Sequence, residues 1–212
     1  MIKLLATLQR NGFLPTHQTI ETIQSFLLAI QARDAYTYRH SLNVGYYSWM
    51  IAKHMGLDES HSTAIYIGGL LHDIGKLGIP DSILLKEGVL TADEYSIMKK
   101  HPSIGHDIVK EITPFSQIGI HNIVLYHHER VDGKGYPRGF CLEQVPQEAL
   151  IVAVADSFDA MTTTRTYRPA LSHGQAVEQL LMGKGTQYAP HIVDIFLEGV
   201  SSYRMKEYIA AT

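Results

Sequence analysis

Residues 40–55, HSLNVGYYSWMIAKHM, decide the fold class. Val44, Tyr47, Ile51 and Met55 recur three and four residues apart, the period of one face of an α-helix. Carried one turn back, the same stripe lands on His40, so an imidazole takes a core-facing position and needs a partner there. Upstream, Ile20, Ile23, Leu27 and Ile30 repeat the period; far downstream, Ile192, Val193, Phe196, Leu197 and Val200 share a side after Pro190. Thr91 with Glu94, and Ser172 with Gln175, have the form of capping boxes and predict helix starts. Pro102 and Pro190 suit first helical turns. No segment alternates as a half-buried strand does. The expected class is therefore all-α, several helices around one core.

A chain of 212 residues can bury roughly 70% of its unfolded surface, enough for a core without covalent staples. With 45% hydrophobic and 18% charged residues it is neither disordered nor a coiled coil. A net charge of -3 argues against a duplex nucleic-acid binder, which needs an excess of Lys and Arg, but leaves small anionic ligands open. The single cysteine, Cys141, excludes a disulfide framework and a thiolate zinc site and reads as an incidental loop thiol. No apolar run reaches eighteen residues, and the opening MIKLLATLQRNGFLP is too short and polar for a secretion signal. A cytoplasmic protein with no membrane segment is expected. Gly and Pro concentrate in 75–88 and 132–146, expected as ordered surface loops.

Histidine and aspartate recur in contexts that packing alone does not call for: His40 in YTYRHS, His72 and Asp73 in LLHDIGK, His101 in KKHPSIG, His127 and His128 in YHHERVDGKGYP, and Asp156 in IVAVADSFDAM. Taken singly, His40 reads as a hydrogen-bonded core histidine and His101 as a helix-end residue. Taken together, one metal centre explains them all. Asp156 shares a helix face with Ala149, Val152, Ala153 and Ala160, and a buried carboxylate there is costly unless paired or metal-bound. Neighbouring helix residues diverge by about 100°, so a pair such as His72 and Asp73 can flank two ions, with the aspartate bridging. The expected sets are His40, His72, Asp73 and Asp156 for one ion, and Asp73, His101, His127 and His128 for the other. Two metals roughly 3.5–4 Å apart suit in-line attack of an activated water on a phosphodiester. Imidazole and carboxylate without sulfur suit iron, manganese or nickel and do not exclude zinc. His17, His54, His61, His106, His121, His173 and His191 are read as surface or structural; Tyr46, Tyr47 and Trp49 as core and rim aromatics.

The ordered set of His72-Asp73, Gly75-Lys76, Ile79 to Asp81, His101-Pro102 and the long string His127 to Pro137 resembles the HD-GYP subgroup of the HD phosphohydrolases. The likeness covers 19–203, leaving 1–18 as an N-terminal stub or extra helix and 204–212 as a tail. It implies a single HD-type helical bundle with a binuclear metal site that hydrolyses cyclic dinucleotides, chiefly cyclic di-GMP, with iron or manganese as the metal. The family's ligand positions fall on His40, His72, Asp73, His101, His127, His128 and Asp156. The resemblance makes Lys76 the lysine of the HDxGK string, which would stabilise transition-state charge, and makes Arg165, Tyr167 and Arg168 substrate contacts. Some members carry a glutamate where this chain has Tyr36 and bind a third metal, so two are expected here. The loop Asp132 to Gly139 would touch diguanylate cyclase partners. A mixed cyclic GMP–AMP substrate, or a non-catalytic cyclic dinucleotide sensor, are the alternatives.

Overall fold

The computed structural model of the protein describes residues 16–164 and 169–201. Among them the elements run α1 (His17–Arg33), α2 (Ala35–His54), α3 (Glu59–Leu71), a 3-10 turn (Ile74–Gly78), α4 (Asp81–Leu84), α5 (Ala92–Met98), α6 (His101–Val109), α7 (Thr113–Gln117), α8 (Ile120–Tyr126), a second 3-10 turn (Leu142–Gln144), α9 (Gln147–Thr162), α10 (His173–Met182) and α11 (Pro190–Ser201). The described residues hold no strand, and isolated bridges join Asp132 to Cys141 and Lys184 to Tyr188. The all-α reading stands, as do both capping boxes and first-turn Pro102. The first helix begins at His17, so the expected boundary after residue 18 falls inside its first turn.

A helix that is apolar all round belongs in an interior. α3 is such a helix: every residue from Ser62 to Leu71 is buried. α9 is another, buried from Ala149 through Ala155. Around them lie two hydrophobic clusters. One joins α2, α9 and α11 through Tyr47, Ile51, Phe158 and Phe196, with the Phe158 ring edge-on to Tyr47 at 5.5 Å and to Phe196 at 4.8 Å. Such pairs add about 0.5–1.5 kcal/mol beyond burial. The other lies between α1, α3 and α8 and contains Ile23, Leu27, Ile67, Leu70 and Val124. Tyr46 and Trp49 pack at the edges of these clusters, as expected.

The stretch 75–88 departs from its expected form as a surface loop. Its first part is the 3-10 turn, with Ile74 and Gly75 buried, and its second contains α4. The cause is close packing: a Cβ on Gly75 would collide with the His101 carbonyl and the Gly105 amide, so the bare backbone lets this turn lie directly on α6. Arg33, at the end of α1, then caps it. Its guanidinium donates to the carbonyls of Lys76, Leu77 and Ile79 and pairs with Asp81 at 2.7 Å.

Candidate metal centre

Each member of the expected ligand set reaches the centre from a helix end or a central helix. His72 caps the C-terminus of α3 and His127 that of α8, while Asp73 precedes the 3-10 turn and His101 opens α6. His40 comes from the middle of α2 and Asp156 from α9. Two groups result, His40 with His72 and Asp73, and His101 with His127 and His128, the donor atoms within each lying within 4.8 Å of one another. Asp73 ties the groups together. Its Oδ2 lies 3.3 Å from His72 Nε2 and 3.8 Å from His40 Nε2, and its Oδ1 lies 3.3 Å from His101 Nε2. Asp156 spans them more loosely, 3.0 Å from His40 Nε2 and 3.9 Å from His128 Nδ1. Asp73 is 2% exposed and Asp156 14%.

The imidazole tautomers show what these atoms await. His72, His101 and His127 each place Nδ1 2.8 Å from the carbonyl three residues back, those of Gly69, Met98 and Val124. A carbonyl only accepts, so each Nδ1 carries the proton and each Nε2 presents a lone pair. Nε2 of His72 is buried without a hydrogen-bond partner. Nε2 of His101 faces Nε2 of His127 at 3.3 Å. Burial pushes the His101 imidazole down to about 3, against the pull of Asp73, and holds His127 well below its ordinary value. His128 is likewise pushed down by burial, to about 4, with Asp156 and Asp73 opposing. Two neutral rings therefore aim lone pairs at each other. Buried unsatisfied acceptors cost about 1–3 kcal/mol each, and a shared cation removes that cost. The residues fit divalent metal.

His40 differs from the others. Burial lowers its basicity, but the carboxylates of Asp156 and Asp159 overcome this and push it up to about 9. Its Nδ1 donates to Asp159 Oδ2 at 2.7 Å, and Asn43 Nδ2 donates to Asp159 Oδ1 at 2.8 Å. A mid-helix histidine has no free carbonyl one turn back, so a carboxylate from α9 does for His40 what chain carbonyls do for His72, His101 and His127. Asp159 carries no role in the sequence reading. Its signal is a second aspartate three residues after Asp156 in an apolar helix. Glu129, last letter of the HHE triplet, is also buried, and its carboxylate accepts from Arg138 N at 2.6 Å and Phe140 N at 3.0 Å. It fixes the 132–139 loop and places the Tyr136 ring 4.8 Å from that of His128. A Cβ on Gly135 would strike the Arg130 amide and the Glu129 Cα, which explains the glycine.

Asp73 also accepts from Lys76 Nζ at 2.6 Å, and the lysine side chain is 20% exposed at the edge of a cleft of about 650 Å³. Burial raises the Asp73 carboxyl, but Lys76 and the neighbouring histidines outweigh it and hold it well below its usual range. Arg165, Tyr167 and Arg168 lie outside the described residues. The remaining histidines stay apart from the centre: His54 bonds the Met50 carbonyl, His61 meets Asp58, and the His106 and His121 rings pack together at 5.8 Å. Cys141 is an exposed free thiol.

The HD domain family model matches residues 22–192. The chain belongs to the HD domain family. Within it, the strings from His72 to Pro137 place the chain in the HD-GYP branch. A cyclic di-GMP phosphodiesterase of Thermotoga maritima is 44% identical over 179 residues, covering 84% of this chain and 48% of that protein. A 3'3'-cGAMP-specific phosphodiesterase 2 of Vibrio cholerae is 36% identical over 178 residues, covering 84% of this chain and 34% of that protein. The chain thus spans about half or less of these HD relatives. The HD domain of the L. monocytogenes phosphodiesterase PgpH superposes with a TM-score of 0.62 at 19% identity, over 86% of this chain and 98% of that one, a likeness of fold. No helix among the described residues is long and apolar enough to cross a membrane.

Proposed function

We propose that this HD domain hydrolyses a cyclic dinucleotide, cyclic di-GMP, to linear pGpG or onward to GMP. The observation that carries the proposal is the pair of inward-facing, neutral Nε2 atoms of His101 and His127 beside a carboxylate that reaches both histidine groups. The names of the relatives support the substrate class. His40, His72, Asp73 and Asp156 would hold one divalent ion, and Asp73, His101, His127 and His128 a second, iron or manganese, with nickel and zinc compatible with the donors. Bound there, such ions supply Lewis-acid charge to phosphoryl oxygens and make water more acidic.

The chain's own residues orient the rest. Lys76, on the cleft side of Asp73, lends positive charge where the phosphoryl group gains negative charge. Water oxygen bonds to phosphorus, the P–O3′ ester bond breaks, and the departing oxygen gains the proton. Arg165, Tyr167 and Arg168 contact phosphate or guanine, and the loop Asp132 to Gly139, which exposes Lys134 and Arg138, meets diguanylate cyclase partners.

Incubating metal-loaded protein with cyclic di-GMP, 3'3'-cyclic GMP–AMP and pGpG, and separating products by chromatography, tests this reading. Cyclic di-GMP is expected to turn over fastest. Faster cleavage of the mixed dinucleotide would favour the second reading, for which the Vibrio cholerae relative speaks. Binding without turnover would make the chain a sensor.

A further inference from the structure

Helix α5 is locally well built but only lightly packed on the rest of the fold. Thr91 and Glu94 form its reciprocal capping box, and Lys86 pairs with Glu94 at 2.6 Å, yet the helix buries none of its residues. A helix this short has no independent stability in water and depends on packing for its apolar face. Here that face is covered only in part: Ile97 and Met98 are half-buried and Tyr95 is exposed. Tyr95 and Met98 line the cleft of about 650 Å³ together with Leu84, Leu85 and Leu90, and Leu85 and Tyr95 remain 53% and 48% exposed. The same cleft is lined by His40, Asp73, Lys76 and Asp156. Its wall therefore combines a charged stretch suited to a phosphodiester with an apolar stretch suited to a flat, weakly hydrated group.

The aromatic ring that matters is Tyr95. It borders both the large cleft and an adjoining one of about 420 Å³, as does Tyr136, whose ring stands against His128. Lys99 Nζ sits 5.2 Å from the Tyr95 ring centroid, which leaves one ring face for a second π system. The cleft volume falls within the range typical of small-molecule sites, roughly 300–1,000 Å³.

We infer that Tyr95, with Leu85, Leu90 and Met98, forms a seat on which one purine of the substrate stacks while its phosphate lies at the histidine centre. The inference rests on the cyclic dinucleotide reading. Every base offers a π-face, so the seat contributes affinity without choosing guanine over adenine.

The test compares Tyr95→Ala and Tyr95→Phe with the wild-type metal-loaded chain. Measured quantities are KM for cyclic di-GMP, calorimetric Kd for pGpG, metal content, and amide exchange across residues 84–98. Tyr95→Ala is expected to raise KM and Kd roughly tenfold or more, with metal content unaltered, and Tyr95→Phe to restore both. Exchange in 84–98 should slow when pGpG binds the wild type. Equal affinities in wild type and Tyr95→Ala, or unaltered exchange despite binding, would overturn the seat and leave the hydrolysis reading standing. A wild type that neither cleaves nor binds cyclic dinucleotides would overturn both.

Discussion

Asp73→Ala is expected to abolish hydrolysis, a fall of at least about 10³-fold, the upper end of what losing one electrostatic group costs. Asp73 is the carboxylate that approaches both histidine groups to 3.3 Å, through different oxygens. Its removal takes away the carboxylate between the two groups and a negative charge from the proposed metal centre. Asp156 does not replace it: it meets the first group at 3.0 Å through His40 but stands 3.9 Å from His128 of the second. Product formation, metal content and a thermal melt should be measured on the same preparation. A folded variant that has lost metal and turnover agrees with the assignment; one that still cleaves substrate shows that Asp73 has been misassigned.

Lys76→Met should lower kcat by about 10²–10³-fold while metal content holds. The lysine is not among the proposed ligands, yet its ammonium is fixed 2.6 Å from Asp73 Oδ2 on the cleft wall. Methionine keeps the length and apolar stem and removes only the charge. Lys76→Arg, which keeps the charge with a different shape, should fall between. Steady-state kinetics separates the possibilities: a raised KM with kcat unaltered would make Lys76 a ground-state contact with no share in transition-state stabilisation.

The outer helices α1 and α11 were legible because their burial is periodic. The Ile23, Leu27 and Ile30 stripe and the Ile192, Val193 and Phe196 stripe are buried as the spacing implies. The side chains that converge at the centre were legible as a set because histidine and aspartate beside apolar runs have few other reasons to be there. Their partners were less so. Asp159 meets His40 across 119 residues of sequence, and no local pattern announces that contact. Arg33 reads as an ordinary helix-end arginine until the 3-10 turn brings three carbonyls to it. Glu129 stands in plain view in the HHE triplet, but its work is to bind loop amides at positions 138 and 140, which only the folded path of that loop reveals. The apolar wall at 84–98 was hidden for the opposite reason: Leu84, Leu85 and Leu90 look like core residues, and the fold leaves them beside a cleft.

Metal quantification on protein purified without chelator, with turnover of cyclic di-GMP measured on the same sample, bears most directly on the proposed pair of cations. Close to two divalent ions per chain are expected, with activity rising and falling with their occupancy on chelation and reloading. Fewer than one ion per chain with activity retained would contradict the binuclear centre and the hydrolysis built on it.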